Sequence, residues 1–511
     1  MLNKNAFAVI FLNPNRLFYG IALFYCAVWF FLPFFVQANV RPDTAEQFFI
    51  AKEWVVSATK HPTLTAWLLE IGFTLTGGAV WATYLMSSLA VFVILWSIWK
   101  LSNNFLPAHL ALLTVLASCN YRYLNIGSTY FHNSVGILPF WALTVLLFYN
   151  ALESGKKRYW ILTGFTLGCG LLCKYPMGLL ALTIFFFVVC FKDTRKYRHK
   201  LVLTVIAASL VFLPHIYWQF SHNFPAFYYA AHSGQQPAHW YNHIISPVTF
   251  FAAQLILLTP VFISVFPILR RQRSVAVIEN KTTALWQKRF LPFVVLIPVL
   301  LQVMVPVLSG HQMPSRHGTH LWLFFPLFLI ACCPLSSDIK KYRRAVCYSL
   351  IVMLFTMILF AGHWMLRPIV DKNPNDTLFP GQQLAAAVEQ IWHKQYDIPI
   401  PYAAGEWKLS ANLALYGKDR PTILAYPDRG YFGTEQICIT PWVTKEDLYK
   451  KGAVLLWQIR DEKNPVPSNL ESDYPGAIPQ ETQIVLPYQS KIRTFPPLRV
   501  GVAVIPPPKH K

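Results

Sequence analysis

Charged residues are scarce in this chain: Asp, Glu, Lys and Arg together make up 13% of its 511 residues, whereas soluble domains carry about 25%. Acids are scarcer than bases, with 23 Asp and Glu against 44 Lys and Arg. The shortage of charge excludes a disordered chain, a coiled coil and an ordinary cytosolic enzyme. Hydrophobic residues make up 55% and aromatic residues 16%, which indicates a polytopic membrane protein.

Cysteine is also sparse where it could form a disulfide framework. The chain has nine cysteines, and only Cys438 lies in the polar C-terminal tail, which excludes such a framework within the tail. The first apolar run lacks a small-residue cleavage site, so we expect it to remain as a membrane anchor. The formal net charge of +21 is spread over many loops instead of forming one basic patch, and no nucleic-acid partner is predicted.

Eleven apolar runs are long enough to cross a bilayer and predict a polytopic α-helical protein. They lie at 17–37, 79–99, 105–121, 132–151, 159–174, 175–191, 201–218, 246–269, 290–308, 320–335 and 345–363. With the N-terminus inside, the cytoplasmic segments hold 21 Lys and Arg, the opposite loops hold 6, and the tail holds the remaining 17. This bias predicts a cytoplasmic N-terminus and an extracytoplasmic tail.

Composition predicts two domains. Residues 1–363 form a transmembrane domain with extracytoplasmic loops at 38–78 and 218–245, and residues 364–511 form an extracytoplasmic α/β domain. In this second domain we expect an amphipathic helix over Gln382–His393. Short apolar runs are predicted as strands at Ile398–Ala403, Thr422–Ala425, Ala453–Trp457, Gln483–Leu486 and Arg499–Ile505. The tail has no nucleophile motif, so we expect a scaffold or an acceptor-docking domain.

The outward-facing acids of the membrane part are confined to one loop. Four of its eight acids fall in cytoplasmic loops, and the other four are Asp43, Glu46, Glu53 and Glu70. If residues 43–57 are helical, the first three carboxylates project within about 80° of one another. Acids beside a bilayer are costly unless they are solvated or used. The cluster is therefore either functional, which we favour, or the solvated face of an interfacial helix.

Cations and histidines occur on the same predicted side. Lys60 and His61 precede Pro62 at an expected helix N-terminus, which is an anion site. Lys174, followed by Tyr175, lies between two spans and could hold a lipid phosphate. The alternative for both lysines is a snorkelling cation at the interface.

The segment 218–243 has no Asp, Glu, Lys or Arg but holds four histidines among aromatic residues. Uncharged donors mixed with rings suit sugar recognition, and an aromatic interface belt is the alternative. His311 and Arg316 lie on the same side. His239 and His243 have the i,i+4 spacing of a zinc site, but the usual carboxylate or cysteine pattern is missing, so no metal is predicted.

Six short motifs occur in an order that resembles bacterial members of the protein O-mannosyltransferase-like family of C-type (GT-C) glycosyltransferases, to which the lipid A aminoarabinose transferase is related. The resemblance covers essentially the whole chain. The motifs are Asp43-Thr44-Ala45-Glu46, His61-Pro62-Thr63-Leu64, Lys174-Tyr175, Gln254-Leu255 with Thr259-Pro260, His311 with Pro314, and a tail segment from Gly405 to Arg420-Pro421. The family's second aspartate is replaced here by Asn133, beside His132.

The resemblance implies a GT-C-like fold in a bacterial inner membrane, without a cofactor. It implies transfer of a hexose or pentose from a polyprenyl-phosphate donor to lipid A, a surface glycan or a protein at the outer face. Asp43 and Glu46 are the implied catalytic carboxylates. The residues assigned to substrate binding are Lys60, His61, Arg122, Lys174, Tyr175, His222, His311 and Arg316.

Two other functions stay open at this point. A lipid-linked sugar flippase is the chief alternative, although transporters place charges at mid-span and here the acids lie at the outer rim. A binding or assembly protein that has lost catalysis is the third, because Asn133 removes one family carboxylate.

Overall fold

The computed structural model describes residues 13–232, 239–269, 284–336, 338–426 and 438–508. Lys4 and the basic residues at 270–281, which entered the predicted charge bias, lie outside the described residues. The chain divides into two compact units. The first combines Met1–Pro33, Tyr84–Tyr217 and Ala231–Phe360, and the second combines Phe34–Thr83, Trp218–Ala230 and Ala361–Lys511.

The helices follow one another along the described chain. They are α1 (Pro14–Val36), α2 (Pro42–Ala51), α3 (Leu64–Leu75), α4 (Ala82–Phe105), α5 (Ala108–Cys119), α6 (Asn133–Ser154), α7 (Lys157–Cys173), α8 (Met177–Cys190), α9 (Arg198–Ser221), α10 (Pro225–His232), α11 (Asn242–Val265), α12 (Leu285–Ser309), α13 (Phe325–Cys332), α14 (Ile339–Val370), α15 (Gly381–His393), α16 (Trp407–Tyr416), α17 (Lys445–Lys451) and α18 (Leu470–Asp473).

Seven of these helices are long and apolar enough to cross a membrane, within the described ranges: α1, α4, α6, α9, α11, α12 and α14. A helical membrane protein is therefore confirmed. The other four predicted spans correspond to the shorter helices α5, α7, α8 and α13, of 12, 17, 14 and 8 residues. A full crossing takes about 20 residues of helix, so their length alone does not make them spans.

Small residues let two helices of the first unit approach closely. A side chain at Gly164 of α7 would overlap the backbone carbonyl of Thr204 in α9, and one at Gly168 would overlap Val211. Close helix approach of this kind supplies van der Waals contact where a bilayer supplies little hydrophobic driving force. The hydroxyl of Thr144 in α6 donates to Thr166 of α7 at 2.8 Å, which joins these two helices as well.

The tail of the second unit contains a mixed sheet. Its strands are β1 (Tyr402–Gly405), β2 (Thr422–Ile423), β3 (Ala453–Gln458), β4 (Ile478–Pro479), β5 (Ile484–Leu486) and β6 (Leu498–Ile505). The order is β2-β1-β3-β6-β4, with β5 also paired to β6. β1 is parallel to β2 and β3, and β3 is antiparallel to β6. Five of the six strands overlap the predicted runs, and β4 does not.

Alternation along the central strands builds a core on each face of this sheet. Val454 and Leu456 of β3 pack with α15, whose buried residues include Leu384 and Trp392. Leu455 belongs to the cluster on the other face. Successive strand residues point to opposite faces, so an uninterrupted apolar strand is expected to be buried on both sides. The helix predicted at 382–393 begins one residue earlier, at Gly381.

The first loop is less helical than its acid spacing suggests. Helix α2 starts with Pro42 in its first turn and ends at Ala51, and Trp54 adopts a positive φ of 49°. A non-glycine residue in this region marks a turn. Residues 43–57 therefore do not form one helix, and Glu53 does not share a helical face with Asp43 and Glu46.

Candidate active site

Two carboxylates of the second unit lie on α2 at different depths. Asp43 is in the first turn and exposed, where the helix N-terminus favours a negative charge. Glu46 lies one turn further and is buried. The ammonium of Lys60 donates to Glu46 Oε2 at 2.8 Å, with side-chain exposures of 15% for Lys60 and 10% for Glu46. The predicted site residues Asp43, Glu46 and Lys60 are thus brought together.

Lys60 stays charged in this environment. Burial acts to lower the pKa of its ammonium, but the charge and hydrogen bond of Glu46 outweigh burial, and the charges of Tyr229 and Asp43 add to them, so the pKa is raised. The ammonium also lies 5.7 Å from the ring centroid of Tyr229, a cation–π distance. Lys60 is therefore a fixed positive charge shared by a carboxylate and a ring.

The segment 218–230 is attached to the first loop through a buried amide. Gln219 donates from Nε2 to the hydroxyl of Ser57 at 2.9 Å, and its Oε1 accepts from the backbone N–H of Ala226 at 3.2 Å. Gln219 is 1% exposed. Leaving such a group unpaired inside the protein would cost about 1–3 kcal/mol, so these bonds define where the segment lies.

The remaining two acids of the loop bind the tail. The guanidinium of Arg420 donates to both oxygens of Glu70, at 2.8 and 2.9 Å, and stacks on the ring of Phe73 at 4.6 Å. Glu53 accepts from the hydroxyl of Thr422 at 2.7 Å. Bidentate arginine–carboxylate pairs fix geometry as well as charge. Glu53 and Glu70 thus have structural partners within the second unit.

Helix α3 begins at Leu64 with Thr63 as its N-cap residue, two residues after the Pro62 predicted to start it. The structure turns Lys60 towards Glu46, which gives the ammonium an anionic partner of its own chain. A bound anion at this helix start stays a prediction for Lys60 and His61.

A second group of predicted residues lies in the first unit, around Lys174. Lys174 follows α7, and its ammonium donates to the hydroxyl of Ser134 at 2.8 Å. Ser134 is the second residue of α6, a helix of 22 residues. Asn133 Oδ1 and His320 Nε2 are buried without a hydrogen-bond partner in the described part of the chain. A helix N-terminus beside a lysine suits an anion.

Two arginines and Lys174 of this unit influence the pKa values of two neighbouring side chains. Burial first, and then the charges of Lys174 and Arg316, lower the pKa of His317 to about 4. Burial raises the pKa of Tyr123, opposed by a hydrogen bond from Ser315 and by the charges of Arg122 and Arg316. His317 is therefore uncharged at neutral pH, and the positive charges here belong to the lysine and the arginines.

The other predicted residues have partners that differ from one another. The hydroxyl of Tyr175 is 3.0 Å from His215 Nε2. In the second unit, the ring of His222 stacks on Trp218 with centroids 4.1 Å apart. In the first unit, His311 is half-buried and its Nε2 has no hydrogen-bond partner among the described residues.

The two histidines with zinc-like spacing have other contacts. His239 stacks on Tyr241 at 4.9 Å, and His243 Nδ1 lies 2.8 Å from the carbonyl of Val307. In the described part of the chain, no three His, Cys, Asp or Glu side chains are grouped as metal ligands.

Sequence reasoning misses Ser134 and Gln219. A hydroxyl at the third position of a predicted span was the available signal for Ser134, because the first turn of a helix carries unsatisfied N–H groups. Gln219 gave no local signal, since its partners are set by the fold.

Residues 60–218 match the family model described as dolichyl-phosphate-mannose-protein mannosyltransferase. ArnT from Cupriavidus metallidurans bound to undecaprenyl phosphate is 14% identical, with 99% of each chain covered and a TM-score of 0.52. The predicted resemblance is confirmed. With ArnT from the same organism in the apo state, identity is 15%, coverage is 96% of this chain and 97% of that chain, and the TM-score is 0.49.

The apo oligosaccharyltransferase from Archaeoglobus fulgidus is 10% identical, with 81% of this chain and 65% of that chain covered and a TM-score of 0.43. Among curated protein sequences, none matches this chain. At 14% identity, the likeness to ArnT concerns the fold. The family match and the apolar helices together support a membrane glycosyltransferase.

Proposed function

We propose that this chain transfers a sugar from a polyprenyl-phosphate donor to an acceptor hydroxyl at the outer face of a bacterial inner membrane. The observation that carries the proposal is the exposed carboxylate of Asp43 one helical turn from the buried Glu46–Lys60 pair. The family-model match over residues 60–218 supports the reaction class. Lipid A, another surface glycan and a secreted protein are the candidate acceptors.

The proposed reaction is a direct displacement. The acceptor oxygen forms a bond to the anomeric carbon while the bond from that carbon to the phosphate oxygen breaks. Asp43 takes the proton of the acceptor hydroxyl, and the polyprenyl phosphate leaves with the electron pair. A positioned general base contributes about 10²- to 10⁴-fold to such a step. Direct attack inverts the anomeric centre.

Glu46 has a different role from Asp43 in this proposal. Its carboxylate is buried and accepts from the Lys60 ammonium at 2.8 Å, whereas the carboxylate of Asp43 is exposed. Glu46 instead fixes the position of the Lys60 ammonium, which also interacts electrostatically with Asp43. We therefore assign Asp43 to catalysis and Glu46 to positioning.

Within the first unit, we assign phosphate binding to Lys174, as the family resemblance implies. Lys174 and Ser134 at the start of α6 offer a charged donor and a hydroxyl, and Arg122 and Arg316 add positive charge. Fixed cations stabilise the charge that develops on a departing phosphate. The ArnT structure with undecaprenyl phosphate supports a ligand of this class. Because Asn133 stands where the family has its second aspartate, the proposal uses Asp43 as its one catalytic carboxylate.

The topology belongs to the same proposal. The N-terminus lies in the cytoplasm, all eleven apolar helices lie within the membrane, and the tail lies outside. The loop charge bias supports this orientation.

The deciding experiment is a transfer assay in proteoliposomes with radiolabelled polyprenyl-phosphate sugars and extracted envelope fractions. For Asp43→Asn we expect a loss of transfer of about 100-fold or more with unchanged thermal stability. Asp397→Asn, which changes an exposed carboxylate of the tail, is the matched control and keeps full activity.

Each other outcome of this assay has a definite meaning. A folded Asp43→Asn variant with full activity would refute the role of Asp43. Label that crosses the bilayer without joining an acceptor would make the chain a flippase.

A further inference from the structure

We infer that the sugar transferred at this site is neutral and carries no ammonium group. The inference rests on the proposed function, because it takes the surroundings of Asp43 as the sugar site. The observations behind it are the ion pairs and hydrogen bonds that the carboxylates of the second unit already make within the chain. An amino sugar is protonated at neutral pH and needs a carboxylate or an aromatic face that is open to it.

Lys60 occupies both positions that would attract a substrate ammonium. Its own ammonium takes the Glu46 carboxylate at 2.8 Å and lies 5.7 Å from the ring centroid of Tyr229. A second cation brought to this place would meet a like charge that is largely buried. Like charges placed close together weaken binding, so Lys60 works against an aminated ligand.

The other acids of the first loop are also engaged. Glu70 is bound on both oxygens by Arg420, and Glu53 accepts from Thr422. Asp43 is the acid of this loop that the structure leaves exposed. A sugar ammonium paired with Asp43 would also lower the basicity of the group assigned to take the acceptor proton.

The segment 218–230 carries uncharged groups that are suited to hydroxyls. The segment 218–230 contains no Asp, Glu, Lys or Arg and brings Tyr229 beside Lys60. His222 and Tyr228 of the same segment are exposed. Phenols, imidazoles and ring faces recognise neutral sugars by hydrogen bonding and stacking, without requiring a charge on the ligand.

The test uses a matched pair of donors, polyprenyl-phosphate arabinose and its 4-amino-4-deoxy counterpart, in the proteoliposome assay. Polyprenyl-phosphate glucose and mannose complete the panel. For the natural protein we expect kcat/KM for the neutral pentose to exceed that for the aminated one by about tenfold or more. Direct binding of the two pentose donors is measured in the same vesicles.

Two variants shift this preference in opposite directions. Lys60→Met frees the Glu46 carboxylate, so the preference for the neutral donor falls, mainly through a lower KM for the aminated donor. Glu46→Gln leaves the Lys60 ammonium without its carboxylate, so the preference rises. Lys60→Arg keeps the charge and keeps the preference. Damage to folding alone would not move the two single variants in opposite directions.

The inference and the proposed function fail in different ways. Equal or better use of the aminated donor by the natural protein, or a shift in the same direction for both variants, overturns the inference while transfer stands. Absence of transfer from every donor in the panel overturns the proposed function. In that case the ratio of the two binding affinities still decides whether a neutral sugar is preferred.

Discussion

Asp43 and Glu70 are both carboxylates of the first loop, and their neighbours make them different. Asp43 is exposed at a helix start, whereas Glu70 is 5% exposed and bound by a guanidinium on both oxygens. An ion pair removed from water holds its geometry but is an unreactive base, because its charge is already compensated. Residue type therefore tells less about a role than exposure and pairing do.

Arg420→Met is expected to destabilise the second unit by roughly 3 kcal/mol, since it leaves a buried carboxylate without its partner. Thermal unfolding of the purified protein, together with proteolysis of the tail, measures the change. Lys408→Met is the matched control, because it breaks an ion pair with Asp376 in which both side chains are about half exposed. Such pairs contribute about 0–1 kcal/mol. Equal losses for the two variants would contradict the assigned importance of the Arg420–Glu70 pair.

His317 makes stability depend on pH. Burial first, and then the charges of Lys174 and Arg316, lower its pKa from 6.5 to about 4. Between these two pH values the imidazole of residue 317 is protonated in the unfolded chain and neutral in the folded chain. The stability that the folded chain gains from a neutral His317 is thus fully present above pH 6.5. This part of the free energy of unfolding is lost as pH falls towards 4, at no more than about 1.4 kcal/mol per pH unit.

His317→Gln tests this prediction, because the variant has no proton to gain in the same window. Thermal unfolding of both proteins between pH 4 and pH 7 gives the two slopes. Identical slopes would show that His317 does not have the lowered pKa.

At the scale of elements, the close approach of α7 and α9 depends on glycines, which have no side chain to keep the two helices apart. Gly164 and Gly168 are four residues apart and lie against Thr204 and Val211. The hydroxyl of Thr204 donates to the carbonyl of Trp160 at 2.9 Å. Glycine at this spacing allows helix backbones to approach, whereas a larger residue would separate them.

Gly164→Ala is therefore expected to lower thermal stability, because its Cβ would overlap the backbone of Thr204 and α9 would have to move. Forcing extra carbon into a packed contact costs about 1–3 kcal/mol. The control is Gly178→Ala in α8, where a Cβ meets nothing within 4 Å and where alanine improves helix propensity. A Gly164→Ala protein as stable as the Gly178→Ala protein would refute the close packing.

At the scale of the whole molecule, the strongest prediction is orientation. The proposed transfer requires the first loop, the segment 218–230 and the tail to face the same compartment. An alkaline phosphatase fusion at the C-terminus is expected to be active, and one placed after Tyr197, in the basic segment before α9, is expected to be inactive. The reverse pattern would overturn the orientation and the proposed site of reaction with it.

The sequence by itself determined the features that depend on neighbours along the chain. Apolar runs of about 20 residues located all seven long helices, and apolar periodicity located α15 to within one residue. The same local information placed Asp43, Glu46, Glu53 and Glu70 in one loop. It did not reveal that α2 ends at Ala51 and that a turn follows at Trp54.

Only the tertiary structure decided which charges pair. Arg420 and Glu70 are 350 residues apart, and the sequence singled out Arg420 only as part of a motif. Gln219 meets Ser57 across 162 positions. Folding excludes water from these groups, so each buried charge or amide must find its hydrogen-bond partner within the protein. Which partner is available depends on the fold. That selection separates the exposed Asp43 from the other three acids of the loop.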